Sequence, residues 1–301
     1  MTSDSPRYAT SAAFVRALNH QLRVTADSTG RPVEELRRQF LTHRFLARVF
    51  HTPSSGWVLL GGVGLLVRVP GARATQDVDL LHTTSTLDEA VLELDKLLVT
   101  PDLDPLTFQR AAPKRMSGRT VGAQISMTAL AGPNTVGTFP INLTIQRTTV
   151  ARAQLVRPQP VIEMDGVGPL PEFTLYPLED QVADKVCAMY DRYGPRSSPS
   201  TRYHDLVDLV LIARTCTLDA AHTRSAIRGQ EQRRGLTVPL TLTSPGPTWT
   251  TAYRATAHRS RLPPNLHDLT DALSTVRTLL GPLLTDSVRA GRWNPDDQTW
   301  V

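Results

Sequence analysis

Residues 11–26 and 32–51 read as helices, the second carrying Leu36, Phe40, Val49 and Phe50 at near-helical spacing. The second stretch opens Pro32-Val33-Glu34-Glu35. Proline suits a first helical turn, and the two acids favour the positive end of a helix dipole. The period then changes. Residues 57–60, Trp-Val-Leu-Leu, form a short apolar run that enters Gly61-Gly62. Residues 63–69 read as a brief helix, stopped by Pro70-Gly71. Residues 77–81, Asp-Val-Asp-Leu-Leu, begin with the alternation of a half-buried strand. Residues 87–99 predict an amphipathic helix with its acids on one side. Strands are expected over 106–110, 120–130 and 136–149, the last two joined by a turn containing Gly132-Pro133-Asn134. Pro140 assigns the start of the third strand to an edge or irregular position. A proline-rich connection with some strand fills 157–177. Helices are then expected over 179–193, 201–215, 218–230, 247–258 and 265–285, with a loop over 194–201. The fold class is therefore α/β (α+β). Residues 1–170 form a small mixed sheet with helices on it, and residues 171–301 a mostly helical region.

Composition narrows the class. The chain has 301 residues, 40% hydrophobic and 20% charged, which is enough to bury a core and excludes global disorder. The longest apolar or glycine run, 57–67, ends at Arg68, well short of the roughly 20 residues a membrane helix needs. The N-terminal residues lack a charged-then-apolar export signal, so the reading expects a cytoplasmic protein without a membrane partner. Cys187 and Cys216 belong to no CxxC pair, which excludes a disulfide framework and a cysteine zinc site. The net charge is +5, yet only Lys96, Lys114 and Lys185 are lysines among the 33 basic residues. Codon composition accounts for such a bias as well as function does. Either way, phosphate contacts would mostly be guanidinium forks. The charge permits a nucleic-acid partner without requiring one.

Candidate chemistry centres on Gly61-Gly62 and, after 14 intervening residues, Asp77-Val78-Asp79. Residues i and i+2 of a strand share a face, so the two carboxylates stand side by side. Their repulsion is tolerable if they point into water, as an exposed acidic strand end, or if they hold a hard cation. Oxygen ligands suit Mg²⁺, which takes further oxygens from phosphate and water. A glycine pair at a strand-to-helix turn lets backbone N–H groups approach a phosphate. Together these features make half of a nucleotide–Mg²⁺ cradle.

Residues 57–68 followed by Arg73-Ala-Thr-Gln-Asp-Val-Asp-Leu resemble the first motif of the DNA-polymerase-β-type nucleotidyltransferases. More narrowly, they resemble the AbiEii branch, with its MenT-type toxins of toxin–antitoxin systems. The segment Leu178-Glu-Asp-Gln-Val-Ala-Asp-Lys185 is similar to the lysine-bearing helix of that branch. Arg202-Tyr-His-Asp205-Leu-Val-Asp208-Leu resembles its Arg-Asp-x-x-Asp-Leu helix, and Arg234-Gly-Leu-Thr-Val-Pro with Trp249–Tyr253 its C-terminal stretch. The resemblance spans about residues 55–285. It implies NTP as substrate, Asp77 and Asp79 as Mg²⁺ ligands, and Gly61, Gly62, Arg202 and Asp208 at the nucleotide. Lys185 and Asp205 would be catalytic, with Asp208 as the alternative to Asp205. It further implies transfer of a nucleotide to an acceptor hydroxyl, the tRNA 3′ end being the expected acceptor, and a cognate antitoxin as partner.

Each assignment has a plainer reading. Lys185, on an apolar helix face, serves a triphosphate or an ion pair with Asp205. Asp205 and Asp208, three apart on one helix face, complete the site or merely solvate the helix. Arg202, Lys114 and Arg115 are candidate phosphate contacts. Arg224, Arg228, Arg233, Arg234, Arg254, Arg259 and Arg261 either track an RNA backbone or are ordinary solvated arginines. Trp249 and Tyr253 read as core more readily than as a base-stacking platform. The resemblance implies a third carboxylate where Asn142 stands, and an amide cannot take a proton from a hydroxyl. Either another acid does that work, Asp205 being the choice, or the chemistry leans on metal and positioning, or the alignment there is wrong. That departure keeps open a catalytically silent nucleic-acid-binding protein, beside transfer to a small molecule or a protein.

Overall fold

A computed structural model describes residues 8–52, 56–83, 86–100, 103–116 and 121–301. The strand expected from residue 120 therefore begins outside the described residues. The chain divides into two compact units. The first comprises residues 1–68, 74–148 and 154–175; the second comprises 69–73, 149–153 and 176–301.

The first unit is α/β, as the pattern predicts. Its helices are α1 (Ser11–Thr29), α2 (Val33–Val49), α3 (Gly61–Arg68) and α4 (Leu87–Leu98). Its strands are β1 (Trp57–Leu60), β2 (Val78–His82), β3 (Thr107–Arg110), β4 (Lys114–Arg115), β5 (Gly122–Ala131), β6 (Asn134–Ile145), β7 (Gln154–Val156) and β8 (Phe173–Leu175). They form one mixed sheet in the order β3-β5-β6-β2-β1-β8-β7, with β4 also on β5. Local chemistry sets the ends. Thr86 and Glu89 form a reciprocal capping box on α4, and Gly30 closes α1 at φ +68°. The β5–β6 hairpin turns through Gly132 at φ +58°, a backbone region open to glycine. Pro140 pairs with β5 at Ser126, while the β2 ladder begins one residue later at Ile141. Pro140 thus sits where β6 is still an edge, and its missing N–H breaks no ladder.

Phe139 packs edge to face with both Phe45 and Phe108, which meet each other at a tilt, within the core of this unit. Arg44 and Arg48 are buried there as well. Both pair with Asp104, at 2.7 and 3.0 Å, and Arg48 also stacks over the Phe108 ring.

The second unit carries α5 (Leu178–Tyr190), α6 (Tyr203–Thr215), α7 (Ala220–Arg234), α8 (Trp249–Ala257) and α9 (Leu269–Leu284). The stretch expected as a loop holds a small hairpin, Arg192–Tyr193 with Ser198–Pro199. Tryptophans anchor this core by their ring N–H groups. Trp249 donates to the Ser200 carbonyl and Trp293 to that of Ala213, each at 2.7 Å.

Candidate active site

Strand β1 enters α3 through Gly61, whose φ of +67° lies in the left-handed region. The helix begins at the glycine pair itself, two residues before the sequence pattern placed it. In the antiparallel register of β1 and β2, Leu60 lies opposite Asp79. The next residue, Gly61, therefore abuts that carboxylate: a Cβ there would stand 1.9 Å from Asp79 Oδ2. Glycine alone meets both the backbone and the steric demand. At Gly62 an added Cβ would meet Thr75 at 3.0 Å, a tighter than usual but milder contact.

Asp77 immediately precedes β2, and Asp79 lies within it. Strand β2 runs parallel to β6, with Asp79 paired to Asn142. The Asn142 amide donates to Asp77 Oδ2 at 3.1 Å and to Asp79 Oδ1 at 3.0 Å. Thr75 Oγ1 donates to Asp77 Oδ1 at 2.9 Å, and Gln124 Nε2 reaches Asn142 Oδ1 at 3.5 Å. Two half-buried carboxylates repel each other, and the shared amide donor offsets that repulsion. Each carboxylate oxygen keeps a further lone pair, so the pair still offers oxygen ligands to a hard cation. Among the described residues, no group of three His, Cys, Asp or Glu side chains suits a metal. A cation here would take its remaining ligands from substrate and water.

The second unit gathers the other sequence candidates. Asp205 and Asp208 lie one turn apart on α6, fully buried. Lys185 of α5 donates to Asp205 Oδ1 at 3.1 Å and to Asp208 Oδ2 at 2.6 Å. Arg73 forks onto both oxygens of Asp208 at 2.9 and 3.0 Å, and Arg202 binds Asp205. The ion-pair reading of Lys185 thus extends to a five-member network of three cations and two anions. Burial disfavours the Lys185 ammonium, but Asp208 and Asp205 outweigh it and hold its pKa above the ordinary value. Burial likewise pushes the Asp205 carboxyl upward, and Lys185 and Arg202 overcome this, holding it well below the carboxylate range. His204, 3.7 Å from Asp205, is lowered chiefly by burial. The Arg202 side chain remains 46% exposed and that of Arg73 20%, so the positive excess of the network reaches solvent.

The remaining candidates separate. Lys114 is exposed and lies opposite Gln124 in the sheet register; Arg115 is held by Asp88 at 2.9 Å. Arg224 and Arg228 both bind Asp286, Arg234 binds Asp191 and Arg254 binds Asp268. Trp249 and Tyr253 are fully buried core residues. Sequence reasoning assigned no role to Thr75, Arg73 or Gln124. The first two lie inside the Arg-x-Thr-x-Asp spacing it quoted. Gln124 carried no local signal.

A family model described as nucleotidyl transferase AbiEii toxin, type IV TA system, matches residues 44–276, which include every residue of both clusters. The chain belongs to the AbiEii family. Membership makes it a nucleotidyltransferase of the toxin class in a toxin–antitoxin system, as the sequence resemblance implied. Among solved structures, MenT4, a nucleotidyltransferase toxin from Mycobacterium tuberculosis H37Rv, is 17% identical. It aligns over 90% of this chain and 89% of its own with a TM-score of 0.58, which supports the fold. JHP933 from Helicobacter pylori is 12% identical over 84% of this chain and 90% of its own; its TM-score of 0.42 carries no argument. No curated protein matches the chain. No helix among the described residues is long and apolar enough to cross a membrane.

Proposed function

We propose that this AbiEii protein moves a nucleoside monophosphate from an NTP to the 3′-terminal hydroxyl of tRNA, and that a cognate antitoxin restrains it. The observation that supports this best is the Asp77–Asp79 pair beside the Gly61 turn, joined by a shared amide donor. In this reading Asp77 and Asp79 hold Mg²⁺, and the bare backbone of Gly61-Gly62 receives the triphosphate. A bound Mg²⁺ would stabilise charge on the transferring phosphoryl group. The acceptor hydroxyl gives its proton to water as its oxygen bonds to the α-phosphorus; the bond from that phosphorus to the β-phosphate bridging oxygen breaks, and pyrophosphate leaves.

Within the helical unit, Lys185 and Arg202 are the cations this reading assigns to phosphate. Asp205 and Asp208 fix the lysine ammonium and, with Arg73, its direction. Asp205 is a poor proton acceptor, because its neighbouring cations hold it ionised. Asp205 is therefore not the base in this reading, and catalysis leans on charge placement and orientation.

The test is incubation with Mg²⁺, each α-labelled NTP in turn and total tRNA. Labelled tRNA is expected with one nucleotide preferred, and none with Asp77→Ala or Asp79→Ala at unchanged melting temperature. Full activity in both variants would remove these residues from the site. Label on a protein or small molecule, with tRNA untouched, would overturn the acceptor.

A further inference from the structure

The unusual member of the carboxylate cluster is Asn142. It sits in register with Asp79 on the adjacent parallel strand, so both side chains stand on one face of the sheet. Its amide nitrogen lies within hydrogen-bond distance of both aspartates, and its oxygen faces Gln124. Only the nitrogen end can face two carboxylates, since an oxygen there would add repulsion. The consequence is twofold. The aspartate pair is held together and partly neutralised before any cation arrives. The cluster also presents two negative charges, with no third His, Cys, Asp or Glu completing a metal group among the described residues.

We propose that Asn142 is a positioning residue that makes cation binding depend on the nucleotide: the protein offers two carboxylates, and the triphosphate must bring the other anionic ligands. This rests on the nucleotide chemistry proposed for the same site. Mg²⁺ and Mn²⁺ favour six oxygen ligands and sheds water reluctantly in the case of Mg²⁺, so two carboxylates already engaged by an amide hold such an ion weakly. Adding phosphate oxygens raises both the ligand count and the charge. An aspartate at 142 would have the same size and shape, but it would replace two N–H donors by a third negative ligand. Cation binding would then no longer wait for the nucleotide.

The experiment uses the full chain and Mn²⁺ as the probe. Water proton relaxation reports when Mn²⁺ becomes protein-bound, and the α,β-methylene analogues of the four NTPs, which cannot transfer, are added in turn. The native protein is expected to show weak enhancement with Mn²⁺ alone and strong enhancement once a favoured analogue is present. Asn142→Asp is expected to bind Mn²⁺ without nucleotide about tenfold more tightly or better, the effect of one added charged ligand. Equal Mn²⁺ affinity of the native protein with and without nucleotide overturns the proposal, and this arm does not depend on the variant folding. A folded Asn142→Asp with native Mn²⁺ affinity also overturns it. Failure of the nucleotidyltransferase reading looks different: no analogue binds either protein, and no NTP label is transferred.

Discussion

At the residue scale, His43 is the clearest case of a group the fold holds at a cost. It is 3% exposed on α2, and neither ring nitrogen has a hydrogen-bond partner. Burial, followed by the charges of Arg44 and Arg31, lowers its pKa to about 4. The unfolded chain, with an ordinary histidine near 6.5, binds a proton that the native protein refuses. The His43 contribution is therefore complete above pH 6.5 and is lost as pH falls toward 4, by about 3 kcal/mol in all. His43→Leu keeps the apolar contacts and removes the titration. We expect the variant to match the native protein at pH 7, or exceed it by about 1 kcal/mol, because two unsatisfied polar atoms disappear. Urea unfolding at pH 7 and pH 4.5 checks this. An acid-side loss as steep in the variant as in the native protein would assign the effect to another group.

At the scale of elements, α5 and α6 are joined by Lys185 between Asp205 and Asp208. Removing one member of a buried ion network leaves the others uncompensated, so Lys185→Met is expected to cost about 3 kcal/mol. The pH limits follow from the two shifts. Asp205 is depressed, so its contribution is present above the ordinary carboxylate range and lost in stronger acid. Lys185 is raised, so its contribution is full below the ordinary lysine value and lost as pH climbs past it. Lys185→Met should remove only the lysine's share of the alkaline loss, since burial also raises the Cys187 thiol and the Tyr190 and Tyr253 phenols. The double variant Lys185→Met with Asp208→Leu should recover part of the stability without recovering transfer, which separates the structural role from the chemical one. Recovery of both would make Lys185 a purely structural cation.

At the scale of the whole molecule, a net charge of +5 is compatible with an RNA acceptor, but the paired arginines are poor places to test it. Arg224 and Arg228 share Asp286, so reversing them would break those ion pairs as well as change the field. Arg259 and Arg261 are exposed, and the Arg259 guanidinium donates to the Ala255 carbonyl of α8. Reversing both to Glu is expected to weaken tRNA use with little change in NTP binding, and to reduce the salt slope by about two. An unchanged slope would place the acceptor elsewhere.

The sequence by itself determined the elements and the chemistry carried by local spacing. Alternation, glycine placement and proline positions located β1, β2, the β5–β6 hairpin and the C-terminal helices, because these signals are short-range. The Gly-Gly and Asp-x-Asp spacing, with the later lysine and aspartate motifs, pointed to both clusters. What only the tertiary structure decided depends on strand order and helix packing. Strand β6 reaches β2 by pairing across more than 60 residues of chain, and only that pairing puts Asn142 on both aspartates. Arginine excess suggested surface and phosphate, yet Arg44 and Arg48 lie in the core because Asp104, far along the chain, arrives to neutralise them. The same holds for Lys185. Its composition context suggested a ligand, and its burial was settled by two carboxylates from the next helix. A buried charge is stable only with its partners, and partners distant in sequence are brought together by the fold.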